Sequence, residues 1–111
     1  MTRDVNEVSI VGNLVSDPVF TESNGKRFAR LVIATGKFIP NKNVEDSSSE
    51  SERAYKDRTV HEVRVYVDHI VLKCEELKKG DRVVVNGEIR HGNPKNYIAL
   101  LAPDARFYKV M

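Results

Sequence analysis

The chain has 111 residues, 41% of them hydrophobic and 31% charged, which is the balance of one ordinary globular domain and excludes a disordered chain. Its formal net charge of +2 comes from 18 Lys and Arg against 16 Asp and Glu, short of the basic excess of a dedicated duplex-DNA binder. No apolar run reaches the roughly 18–20 residues of a membrane span, the opening MTRDVNEV lacks the apolar stretch of a secretory signal, and the single cysteine, Cys74, can close neither an intrachain disulfide nor a zinc site.

In chain order, Val5 to Leu14 reads as a strand with Val8, Ile10 and Gly12 on one parity, and the glycine marks a bulge or bend. Asp17-Pro18 turns the chain. Val19 to Thr21 forms a short extension before Asn24-Gly25, the strongest short-range hairpin signal. Lys26 to Thr35 follows as a second strand, with Ala29, Leu31 and Ile33 on one face and Phe28, Arg30 and Val32 on the other. Periodicity stops from Gly36 to Arg58, so a long flexible loop is expected over about 37–58. Between Pro40 and Arg58 it holds five acids against four bases, leaving 14 bases and 11 acids for the rest of the chain.

Thr59 to Val67 is the clearest strand: His61, Val63, Val65 and Val67 take one face, and Val60, Glu62, Arg64 and Tyr66 the other. Asp68 is suited to cap a helix over HIVLKCEELKK, with Val71, Cys74 and Leu77 spaced for one buried face and Gly80 as its stop. Asp81 to Arg90 and Tyr97 to Ala102 are two more strands around a turn at 91–96, and Ala105 to Val110 is expected to continue the last of them. Three strands, a helix and two strands give the order of an all-β, five-stranded OB barrel with one helix, filling residues 1–111 as a single domain. A doubly wound α/β fold would need a helix after nearly every strand, and an SH3-like barrel would lack the helix.

Catalytic chemistry finds little support. His61, His69 and His91 lie on a strand, a helix start and a turn, with no HExxH or CxxC, so neither a metal nor a cofactor is expected. Ser47, Ser48, Ser49 and Ser51 sit among acids where solvation explains them, and no positioned base marks a nucleophile. Binding chemistry is better served. Arg64 and Tyr66 share a face of the third strand, Arg30 lies opposite the core parity of the second, and Lys37 and Phe38 follow at the mouth of the loop. Cations that follow a sugar–phosphate backbone, interleaved with rings on which bases stack, make a generic single-strand site. A solvated barrel face with incidental arginines would show the same pattern.

The segments VNEVSIVGNLVSDPVF, GKRFARLVIAT, HEVRVYV and ELKKGDRVVVNGEIR together resemble the bacterial and mitochondrial single-stranded DNA-binding protein family. That resemblance implies an OB fold, no enzymatic activity, and sequence-nonspecific binding of single-stranded DNA in replication, recombination and repair, with RNA left open. It implies a homo-oligomer as well, a tetramer first and a dimer second, and no membrane. It matches the family's third-strand aromatic to Tyr66, its fourth-strand base to Arg90, and an interface histidine to His61. Apolar Val5, Val8 and Ile10 near an open strand edge are then expected to help bury the contact between subunits. A bacterial cytoplasmic location follows, or a mitochondrial one after removal of a transit peptide.

The departures from the family are plain. This chain has no tryptophan where the family carries several, and Glu62 stands where the family tends to carry a base, so an acid there is expected to repel phosphate. The chain also ends at Met111 without the family's glycine- and proline-rich linker and acidic tip. These departures leave room for a related protein with another task, such as a primosomal adaptor or an RNA-binding subunit of a larger complex.

Overall fold

A computed structural model describes residues 4–38 and 55–110. The strands are β1 (Val8–Leu14), β2 (Val19–Ser23), β3 (Lys26–Phe38), β4 (Tyr55–Val65), β5 (Arg82–Arg90), β6 (Tyr97–Leu100) and β7 (Phe107–Val110), and one helix, α1 (Asp68–Cys74), lies between β4 and β5. The pairing β1–β3–β4–β6–β5 returns to β1 and closes a five-stranded barrel, the OB architecture expected from the element order. β4 and β6 run parallel, and the other pairs are antiparallel.

The alternation in the sequence sets what the barrel encloses. Ala29, Leu31 and Ile33 of β3, Val63 and Val65 of β4, and Val83 and Val85 of β5 are all buried, so each strand turns its apolar parity inward. Gly12 is where β1 crosses onto β3. A Cβ there would collide with the Ala34 carbonyl and the Ile33 side chain, so the barrel can bend at this point only around glycine. β2 and β3 form the expected hairpin, in register from Val19–Arg30 to Ser23–Lys26, with Asn24 at φ 53° and Gly25 at φ 77°. Two successive positive φ values are what a tight two-residue hairpin loop requires.

Three boundaries differ from the sequence reading. β3 and β4 run further than periodicity indicates, pairing through Lys37–Lys56 and Phe38–Tyr55 beyond a register shift at Thr35–Lys37. Backbone hydrogen bonds pair the two strand ends there, and such pairing does not itself demand apolar alternation in the sequence. The rest of the expected loop, 39–54, lies outside the described residues. The helix is shorter than expected: Val67 takes the N-cap position, Asp68 is the first helical residue, and no side chain caps the end. After Cys74, i→i+3 bonds such as Leu77 N–H to the Cys74 carbonyl (3.1 Å) carry the chain to Gly80 at φ 94°.

The third difference is at the C-terminus, where β7 does not extend β6. The chain turns at 102–105 and lays Phe107–Val110 against Val85–Arg82 of β5. Proline at 103, with no N–H to donate, suits that break.

Ile70, Val71 and Cys74 of α1, followed by Leu77, join the core cluster. Burial pushes the Cys74 thiol up to about 12, so it is a neutral, unreactive core group at physiological pH. Native protein at neutral pH is expected to resist a thiol-specific reagent and to react stoichiometrically once unfolded. Fast labelling of the native state would show that α1 opens readily.

Candidate nucleic-acid interface

The outward parity of β3, β4 and β6 carries a connected set of side chains. The register places Arg30 of β3 directly opposite Arg64 of β4, and Arg64 opposite Ala99 of β6. Two guanidinium groups side by side on neighbouring strands would repel each other. Glu62 answers that repulsion. Its Oε2 accepts from Arg64 Nε at 2.7 Å and from Arg30 Nε at 3.1 Å.

Partial burial of Glu62 opposes ionisation, but the hydrogen bonds and charges of Arg64 and Arg30 outweigh it and hold the carboxyl below the usual carboxylate range. The acid expected to repel phosphate is thus paired with both arginines of the face. The carboxylate is the counter-ion of the two cations it bridges, taking the Nε of each and, at 3.5 Å, Nη2 of Arg30; a guanidinium has five N–H donors, so each keeps further donors beyond these contacts.

The aromatic groups join the same network. The Arg64 guanidinium lies 4.0 Å from the Tyr97 ring centroid, a cation–π contact. Tyr66 stacks on Phe28 with centroids 5.0 Å apart and planes 29° from parallel. Burial, and a hydrogen bond with Tyr97, push the Tyr66 hydroxyl above the ordinary phenol range, with Arg64 opposing. Phe28, Tyr66, Tyr97, Arg64, Glu62 and Arg30 therefore form one continuous chain of contacts across three strands. Each ring is held by a neighbour, so a stacking surface exists without first being ordered.

Of the residues anticipated from sequence, Arg30, Arg64 and Tyr66 are brought together here. Arg90 lies opposite Tyr97 in the β5–β6 pairing, at the border of the face, and contacts Glu88 at 3.3 Å. The backbone of Lys37 and Phe38 extends β3 away from this cluster, and their side chains lie outside the described residues. Phe28 and Tyr97 were not anticipated as site residues. Phe28 could have been found from its shared parity with Arg30. Tyr97 could not, because its neighbour Arg64 lies 33 positions away and only the parallel β4–β6 pairing brings them together.

The anticipated interface residues lie elsewhere. Val8–Asn13 of β1 pair with β5, while toward β3 the register pairs Asn13 and Leu14, so among the described residues the edge over Val8–Gly12 is unpaired on that side. Val8 and Ile10 are half-buried against the core, and Val5 stands 77% exposed. His61 Nε2 shares a 2.8 Å hydrogen bond with Thr35 Oγ1. At this mouth of the barrel a cleft of about 330 Å³ is lined by Val8, Val60 and Ile89 together with His61, Glu62 and Tyr97. Asn6 ties the incoming chain to the same region: its side-chain amide donates to the Ile89 carbonyl at 2.8 Å and accepts from the Ile89 N–H at 2.9 Å. Among the described residues no group of His, Cys, Asp and Glu could hold a metal ion, and no helix is long and apolar enough to cross a membrane.

The sequence profile of the single-strand binding protein family matches residues 5–97. This chain belongs to that family. It is accordingly a non-enzymatic protein that binds single-stranded DNA. Solved structures of similar fold include a Plasmodium falciparum single-strand binding protein in complex with single-stranded DNA, at TM-score 0.74 and 21% identity, covering 100% of this chain and 99% of that one. They also include the single-stranded DNA binding protein of Thermus aquaticus, at TM-score 0.68 and 20% identity, covering 96% of this chain but 41% of that one, so this chain spans less than half its length. The mitochondrial single-stranded DNA binding protein of S. cerevisiae matches at TM-score 0.65 and 16% identity over 97% of this chain and 96% of that one.

Proposed function

We propose that single strands bind along the outward face of β3, β4 and β6, with phosphates met by Arg30, Arg64 and Arg90 and bases stacked on Phe28, Tyr66 and Tyr97. The observation that carries the reading is the contact chain from Phe28 to Arg30, in which three rings adjoin two cations bridged by Glu62 on one face of the sheet. Lys37 and Phe38 would extend the track along the paired ends of β3 and β4. Every base offers a π-face and every nucleotide a phosphate, so this chemistry accepts any sequence. It suits coating of strands exposed in replication, recombination and repair, in a bacterial cytoplasm or, as a second reading, a mitochondrial matrix. Anisotropy titrations with labelled oligo-dT, oligo-U and duplex at two salt concentrations test the reading. Oligo-dT is expected to bind with salt-dependent affinity and duplex weakly. Equal affinity for duplex would contradict it.

The same proposal includes a homo-oligomer, a tetramer before a dimer, built through the open edge of β1 with Val5, Val8, Ile10 and His61. The support is physical: the β1 edge over Val8–Gly12, unpaired toward β3 among the described residues, with Val5 exposed beside it, is what a second copy can cover. Light scattering at micromolar concentration is expected to return a multiple of 12.6 kDa. A monomer would remove this part of the reading.

A further inference from the structure

Glu62 is unusual in being a carboxylate at the centre of a face that handles a polyanion. Its two oxygens are not equally engaged. Oε2 accepts both arginine Nε donors, while Oε1, among the described residues, accepts one long hydrogen bond, from Arg30 Nη2 at 3.5 Å. A carboxylate has about four lone-pair sites, so Oε1 keeps acceptor capacity. One position before the Val63–Ile98 pair, Glu62 of β4 is the cross-strand neighbour of Tyr97 of β6, and both line the cleft at the barrel mouth. The ring that neighbours Glu62 is therefore the one that Arg64 stacks on.

We infer that Glu62 reads bases: its less engaged oxygen, Oε1, accepts a hydrogen bond from the exocyclic amine of a base laid on the Tyr97–Arg64 stack, so the face prefers amine-bearing bases such as cytosine to thymine. This rests on the reading of this face as the single-strand site and deepens it. The chemistry is asymmetric. A carboxylate is a good partner for the cytosine N4 amine, whereas thymine offers its N3–H between two carbonyl oxygens whose lone pairs face the same negative charge. Stacking tolerates every base, and Glu62 ranks them.

The test isolates the amine. Oligomers of about eight nucleotides, within the span of one barrel, are made from deoxycytidine and from its 2-pyrimidinone analogue, which is cytosine without the amine, and titrated against full-length wild type and Glu62→Met. Methionine keeps the length of the side chain and supplies no comparable acceptor. Wild type is expected to bind the cytosine oligomer at least about 10-fold more tightly, the lower end of the worth of one hydrogen bond to a charged group. In Glu62→Met the ratio is expected to fall to about one, whatever the variant's absolute affinity.

Equal binding of the two oligomers by wild type overturns the inference and leaves the site intact. So does a preference that survives in Glu62→Met. Failure of wild type to bind either oligomer overturns the single-strand reading itself. The wild-type comparison stands alone should the variant not fold.

Discussion

Removing both guanidinium groups of the bridge, Arg30→Ala with Arg64→Ala, is expected to weaken binding of single strands of every sequence and to flatten the dependence of log K on log salt by about 1.4, twice the single-strand value of about 0.7 per neutralised phosphate. The loss has two sources. Two phosphate contacts go, and Glu62, whose part-buried carboxylate is now held by those same arginines, is left as an uncompensated negative charge on the face. Anisotropy titrations at several salt concentrations read both effects. The single variant Arg64→Ala is expected to lower the slope by half as much while also freeing the Tyr97 ring from its cation. An unchanged slope in the double variant would mean that phosphates are met on another surface.

Replacing Tyr66 by alanine is expected to cost about 1–3 kcal/mol of binding, the range for one base–aromatic stack, with almost no change in salt slope, because stacking releases no counterions. Tyr66 is also the partner that holds Phe28, so its removal loosens a second ring. Tyr66→Phe keeps both stacks and loses only the hydroxyl shared with Tyr97 and Arg64, so it is expected to bind nearly as wild type does. Titration of the three proteins with one oligonucleotide separates ring from hydroxyl. A large loss in Tyr66→Phe would transfer the role from stacking to the hydrogen bond.

What could be read in advance follows from the range over which each signal acts. The barrel was legible because its core obeys a period of two: Ala29, Leu31 and Ile33, and then Val63 and Val65, announce their buried side one strand at a time. The Asn24-Gly25 turn was legible because its two positive φ values are demanded by two adjacent residues. The path after β6 was not. Whether Phe107–Val110 extends β6 or returns to β5 is decided by which edge lies free once the barrel has closed, and no local pattern encodes that. The paired ends of β3 and β4 were missed for a related reason, since their pairing is made by the backbone and the sequence there carries no apolar alternation.

The candidate site was legible in its parts, but the role of its one acid was not. Arg30, Arg64 and Tyr66 could be placed on one face from parity alone, yet Glu62 read alone looks like an obstacle. Only the Arg30–Arg64 cross-strand register turns it into the group that lets two cations sit side by side. Tyr97 entered through the parallel pairing with β4, a contact between elements separated by the helix and by β5.

The central claim is the location of the single-strand site on the outward face of β3, β4 and β6. Transverse-relaxation-optimised ¹⁵N spectra of the labelled protein, titrated with oligo-dT, test it most directly. The account predicts that the largest amide shifts fall at Phe28, Arg30, Glu62, Arg64, Tyr66 and Tyr97, with α1 and β7 nearly silent. Shifts concentrated on α1 and β7, with β4 unmoved, would contradict it.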